Sequence, residues 1–191
     1  MSLDASIKAI GFDMDGTLMC TQIDYGGLND CVVDTLADRG VPRDILKGVH
    51  YKIALDNGYR WMDEHGMSRE KEDVKAYLDT RCTEFEFQNS SSARPFRGAS
   101  ELLGRLRSMG YRTGILTRGG RQYAEYLLNE FGLLGSFDGI VARDDYDEET
   151  DAKPAAIALT HLGEAMGGIR PENILYIGDG IVDYMTAARA G

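Results

Sequence analysis

The stretch IKAIGFDMDGTL, residues 7–18, decides how the rest of the chain is read. Its first six residues are mostly apolar and too few for a helix, the pattern of a buried strand. That strand runs straight into Asp13 and Asp15, followed by Gly16 and Thr17. In extended backbone, residues two apart project to the same side. Both carboxylates therefore face one way, and Gly16 permits the turn that follows. A buried strand with two acids at its carboxyl end fits an open α/β sheet, which binds ligands beyond the strand tips.

The second half of the chain repeats that logic. After Pro95 the pattern predicts a helix over 99–109 ending at Gly110, a strand over 111–116 and a helix over 121–131 ending at Gly132. A strand over 137–142, a helix over 154–162, a strand over 174–177 and a helix over 181–190 follow. Such alternation predicts a parallel sheet covered on both faces. Residues 20–94 have a different rhythm. Leu28, Cys31, Val32, Thr35 and Leu36 recur at helical spacing, with Gly40 placed as a C-terminal cap. Ile45, Leu46, Val49 and Ile53 predict a helical face ending at Gly58. Ser68 is placed to cap a third helix, with Val74, Leu78, Cys82 and Phe85 on its apolar face. The run QNSSSARP, residues 88–95, reads as a linker. The expected architecture is α/β: a Rossmann-like parallel sheet core flanked by helices, from residues 1–19 plus 95–191, with an inserted α-helical domain over 20–94.

Composition narrows the function classes. The chain has 191 residues, 43% apolar and 27% charged, which excludes disorder and fibrous repeats as the main state. Its net charge of −10 argues against a nucleic-acid polymer as partner and against adsorption to an anionic membrane. No stretch approaches the roughly 18 apolar residues of a membrane span. Asp4 and Lys8 interrupt the N-terminal apolar run, so no signal-peptide pattern is present, and a cytoplasmic protein is expected. Cys20, Cys31 and Cys82 are odd in number and form no C-x-x-C, which fits reduced thiols. His50, His65 and His161 lack zinc-site spacing. The run DDYDEETD, residues 144–151, reads as a solvated loop, with calcium or magnesium binding as the lesser reading. The sequence assigns no oligomeric state.

Polar groups follow every strand on the same rim. Asp13, Asp15, Gly16 and Thr17 follow the first strand, and Thr117, Arg118, Gly119 and Gly120 the second. Lys153 lies beyond the third, and Gly178, Asp179, Gly180 and Asp183 follow the last. Four converging carboxylates repel one another unless a cation joins them. Mg²⁺ takes oxygen ligands and commonly shares them with a phosphate. A threonine hydroxyl, a lysine ammonium and glycine-rich turns suit phosphate oxygens. One aspartate placed beside phosphorus can act as nucleophile, and a second, two residues on, can pass a proton to the leaving oxygen.

These motifs resemble the haloacid dehalogenase superfamily of phosphohydrolases, and its phosphoglycolate phosphatase-like subgroup in particular. FDMDGTL at residues 12–18 is similar to the first motif, ILT at 115–117 to the second, Lys153-Pro154 to the third and GDGIVD at 178–183 to the fourth. The resemblance implies that residues 20–94 are the helical cap many members insert after the first motif. It implies that Asp13 is the nucleophile forming an aspartyl-phosphate and that Asp15 is the general acid and then base. Thr117 and Lys153 would hold phosphoryl oxygens, with Gly16, Thr17 and Arg118 as further substrate contacts. Asp179 would ligate Mg²⁺ together with the Asp13 carboxylate and the Asp15 main-chain carbonyl, and Asp183 would complete that site.

The expected substrate is a small phosphorylated metabolite. Phosphoglycolate, a sugar phosphate and a nucleotide all fit a site read through its phosphate. A phosphosugar mutase of the same superfamily is an alternative, as is a catalytically weak phosphate-binding or regulatory protein that keeps the fold. An acid at position 15 disfavours carbon–halogen hydrolysis. Arg60 and Trp61 are minor candidates for specificity. Cys20 stands where many relatives carry an aspartate at the entry to the cap, and Ala155-Ala156 replaces a proline-containing continuation of the third motif. The chain stops at Gly191, where relatives continue for another strand and helix; the expectation is a shortened chain with an exposed sheet edge.

Overall fold

Four short strands build the sheet: β1 (Ala9–Phe12), β4 (Arg112–Leu116), β5 (Gly139–Val141) and β6 (Ile174–Ile177), in a computed structural model that describes residues 3–146 and 151–191. All pairings are parallel, and the order is β5-β4-β1-β6, so β1 lies in the interior of the sheet. Every residue of β1 is buried, as its apolar composition predicts. Phe12 pairs with Ile115 on one side and Ile177 on the other. That register brings Asp13, Thr117 and Asp179 out of the sheet within one residue of the same level.

Three glycines set how closely a helix approaches this sheet. Gly11, Gly114 and Gly139 stand side by side across β1, β4 and β5. A Cβ at Gly114 would lie 2.7 Å from the Met166 sulfur and 2.8 Å from a Leu162 methyl, and one at Gly139 would lie 2.7 Å from the Ala165 backbone. Helix α6 (Ile157–Ala165) thus packs on a strip that has no side chains. Around it Ala9, Leu116, Val141, Ala158, Leu159, Leu162, Met166 and Ile174 form a continuous core. Burying each large side chain there stabilises by about 1.5–3 kcal/mol. Helix α7 (Ile181–Ala190) packs beside α6 and β6. Alternation sends Ile10, Phe12 and Ile115 to the opposite face, where α4 (Ala99–Ser108) packs on β4. Helix α5 (Arg121–Glu130) follows β4. β6 is one of the two edge strands, and Leu175 and Ile177 on it are exposed, as are Ile181 and Tyr184 of α7.

The chain divides into two compact units, Met1–Gln22 with Ser90–Gly191, and Ile23–Asn89. The division falls a few residues inside the 20–94 span expected from sequence. Its cause is a two-stranded antiparallel ribbon, β2 (Met19–Cys20) with β3 (Arg94–Pro95), which ties both connecting segments into the first unit. Strands of two residues carry no periodicity, so the sequence read this region as linker.

The second unit holds α1 (Tyr25–Ala37), α2 (Tyr51–Glu64) and α3 (Ser68–Gln88) around a shared apolar core. Three expectations are corrected. Gly58 does not end a helix: α2 runs through it, because a Cβ there would lie 2.6 Å from a Leu36 methyl and the bare backbone admits that side chain. Ser68 is not the N-cap of α3; Met67 takes that position without a side-chain hydrogen bond. Ile45, Leu46 and Val49 lie in a 3-10 turn and the loop before α2 rather than on it.

Candidate active site

Asp13 leaves the tip of β1 buried, and its amide still bonds the Ile177 carbonyl at 2.8 Å, which fixes the direction of departure. Lys153, 4% exposed, donates to Asp13 Oδ1 at 2.6 Å and to Asp183 Oδ1 at 2.6 Å. Its third N–H reaches the Tyr176 hydroxyl at 3.0 Å. The three donors of the ammonium thus meet three oxygens. Lys153 lies ahead of α6, whose first residue is Ile157, not Pro154 as the sequence pattern predicts; residues 151–156 form turns.

The carboxylates are brought together by glycines. Gly16 has φ +86°, and a Cβ on it would lie 2.4 Å from Asp179 Oδ2. Asp179 is exposed and accepts from the Thr17 hydroxyl at 3.4 Å. A Cβ at Gly178 would lie 2.3 Å from that of Asp183, so the turn after β6 closes only without a side chain. Asp183 is buried, and its Oδ2 accepts from the Gly180 amide at 3.0 Å. Asp13, Asp179 and Asp183 each offer an oxygen within 4.8 Å of the others. The three acids form an oxygen-only, acidic donor set beside the Lys153 ammonium. That is the chemistry a hard divalent cation takes.

Thr117 is buried at the tip of β4, and its Oγ1 accepts from the Gly119 amide at 3.0 Å, leaving its hydroxyl proton to donate. Arg118 is buried in the same loop, its carbonyl accepting from Arg143 at 3.4 Å. Asp15 is half-buried. Gly16 and Thr17, expected as substrate contacts, both lie against Asp179. Trp61 stacks on His65 in the second unit, with ring centroids 3.8 Å apart, and packs on that unit's core. Arg60 is exposed.

A family model described as haloacid dehalogenase-like hydrolase (HAD) matches residues 7–191. The chain belongs to that family. It is 30% identical over 190 residues to a phosphoglycolate phosphatase of Nitrosococcus oceani, covering 96% of this chain and 80% of that protein. It is 26% identical to an N-acetylmuramic acid 6-phosphate phosphatase of Pseudomonas aeruginosa, covering 97% and 79%. Among solved structures, a HAD phosphatase from Thermococcus onnurineus superposes with a TM-score of 0.57 at 23% identity, over 95% of this chain and 82% of that one. That likeness carries the fold.

Two residues of this HAD site escaped the sequence reading. Tyr176 on β6 donates to the Leu116 carbonyl at 3.0 Å or to Asp183 Oδ1 at 3.1 Å, and accepts from Lys153. Burial, with the Asp13 and Asp183 carboxylates beside it, pushes its pKa well above the ordinary value, so it stays a neutral donor. Tyr123 on α5 is 1% exposed and donates to Asp15 Oδ1 at 3.2 Å. The signal for both was available: a buried tyrosine needs a partner for its hydroxyl. Asp144 and Asp145 of the acidic run are exposed, as expected, and also have a structural role. Asp144 accepts from the Arg121 amide at 2.7 Å, and Asp145 from the Arg121 guanidinium and the Ala142 amide, so these two hold the start of α5 from a solvated turn. Residues 147–150 of that run lie outside the described residues. No described helix is long and apolar enough to cross a membrane.

Proposed function

We propose that this chain is a Mg²⁺-dependent phosphatase acting on a small phosphate monoester through an aspartyl-phosphate. The observation that carries the reading is Asp13. It sits buried at the tip of an interior strand, tied to Lys153 on one oxygen and within 4.8 Å of the Asp179 and Asp183 carboxylates. Asp13, Asp179 and Asp183, with the Asp15 carbonyl, would hold Mg²⁺, which would neutralise charge on the phosphoryl oxygens.

The remaining work falls to side chains. Asp13 attacks phosphorus and forms the acyl phosphate as the ester oxygen departs. Lys153 and the Thr117 hydroxyl bind the phosphoryl oxygens, Thr117 being oriented by the Gly119 amide. Asp15 gives a proton to the departing oxygen and later takes one from the water that hydrolyses the acyl phosphate, which restores both aspartates. Residues 20–94 correspond to the inserted helical segment that the family resemblance implies. The names of the relatives support phosphoglycolate or a sugar phosphate as substrate class.

The test is phosphate release from a panel containing p-nitrophenyl phosphate, phosphoglycolate and sugar phosphates, with Mg²⁺ or EDTA, for wild type and Asp13→Asn. Release that needs Mg²⁺ and is lost in the variant is expected. Silence of the folded wild type across the panel would overturn the reading in favour of a phosphate-binding protein.

A further inference from the structure

We infer that Tyr123 is a positioning residue for Asp15, holding its carboxyl through Oδ1 in the orientation that serves the leaving group. The inference rests on the phosphatase reading, because it needs Asp15 to serve that group.

The hydroxyl of Tyr123 donates to Asp15 Oδ1 at 3.2 Å across 108 residues of sequence. The two residues stand on different elements, the loop after β1 and the third position of α5, so local geometry does not force the contact. Gly119 completes the arrangement. A Cβ there would lie 3.3 Å from Thr117 Oγ1, 3.5 Å from Asp15 Oδ2 and 3.6 Å from Tyr123 Cδ1. The backbone at 119 thus runs beside Thr117, Asp15 and Tyr123 together, where the Tyr123 hydroxyl holds Asp15 Oδ1.

The ring is held in turn. Arg121, two residues before it, donates through Nε to Asp145 at 2.8 Å, through one terminal nitrogen to Glu125 at 2.9 Å and through the other to the Ile140 carbonyl at 2.8 Å. The Arg121 amide bonds Asp144 at 2.7 Å. The first turn of α5 is thereby tied to β5 and the loop after it. A half-buried carboxylate that must hand over a proton gains from such support, since proton transfer needs a donor fixed within hydrogen-bond reach.

Tyr123→Phe removes one hydroxyl and keeps the ring that fills the core. The comparison uses two esters on the full chain with Mg²⁺: p-nitrophenyl phosphate, whose leaving group is stable as an anion, and phosphoglycolate, whose alkoxide leaving group needs a proton. Loss of Asp15 alignment lowers the ratio of kcat/KM for phosphoglycolate over p-nitrophenyl phosphate by about tenfold, a fraction of the 10²–10⁴ that general acid catalysis supplies. The melting temperature and its rise with Mg²⁺ plus BeF₃⁻ stay at wild-type values, because the phosphate site itself is untouched. A merely structural role would lower both esters alike and reduce that thermal shift, and an unchanged ratio would overturn the inference. Silence of the wild type on both esters would overturn the phosphatase reading and the inference with it.

Discussion

Replacing Gly16 by alanine separates two demands that meet at one residue. Gly16 has φ +86°, a conformation that costs an L-residue about 1–2 kcal/mol. Gly110 has φ +85°, yet a Cβ there would meet nothing within 4 Å, whereas one at Gly16 would lie 2.4 Å from Asp179 Oδ2. Ordinary van der Waals contact begins at 3.4 Å, so in Gly16→Ala the Asp179 carboxylate must retreat by about 1 Å. Gly16→Ala and the control Gly110→Ala should each lose about 1–2 kcal/mol, which at about 2–4 °C per kcal/mol lowers the melting temperature by about 2–8 °C. Only Gly16→Ala should also lose metal. Loss of the support that orients a metal ligand weakens affinity by about 10–100-fold, and that range is expected for its Mg²⁺ half-saturation, read by calorimetric titration. Equal Mg²⁺ affinity in the two variants would refute the placement of Asp179 in the metal set.

Two further outcomes follow from buried and paired charge. Lys153→Met leaves the Asp13 and Asp183 carboxylates buried without their ammonium, and breaking such a pair from one side costs about 3–5 kcal/mol. Urea unfolding should show this loss, and Mg²⁺ should recover more stability in the variant than it adds to wild type. Burial opposes the charge on Asp138, yet the Thr113 amide at 2.9 Å and the Arg112 guanidinium at 2.5 Å outweigh it and hold its pKa below the ordinary value. A carboxylate lowered in this way stabilises the fold above the unfolded-state pKa of about 3.9 and loses that contribution as pH falls through its native value. The stability gap between wild type and Asp138→Asn should therefore be present at neutral pH and narrow below about pH 4 in urea titrations.

The parts of the fold that were legible in sequence are those with a strong pattern. The strands over 7–12, 111–116, 137–142 and 174–177 each contain an observed strand, since short apolar runs flanked by glycine and polar residues leave little else for the chain to do. Gly58 was misread because a glycine at a helix crossing and a glycine at a helix end look alike until the neighbour is known; here the neighbour is Leu36. The β2–β3 ribbon is a long-range pairing of two residues with two, and no local signal encodes it.

The acids of the site were legible because they follow strands whose order in the sheet brings their tips together. What the sequence did not disclose is the supporting layer. Tyr176 and Tyr123 look like core aromatics in a linear reading, and their roles depend on which carboxylate the fold places at the end of the ring. Gly178 likewise looks like a loop glycine, and only the position of Asp183 shows why no side chain stands there.

The measurement that bears most directly on the central claim is an acid quench of the wild-type enzyme during turnover of a radiolabelled phosphate ester, followed by peptide mapping. The account expects acid-stable label on the peptide carrying Asp13, in the presence of Mg²⁺ and absent from Asp13→Asn. Turnover that proceeds with no label on the protein, or with label on another residue, would contradict it.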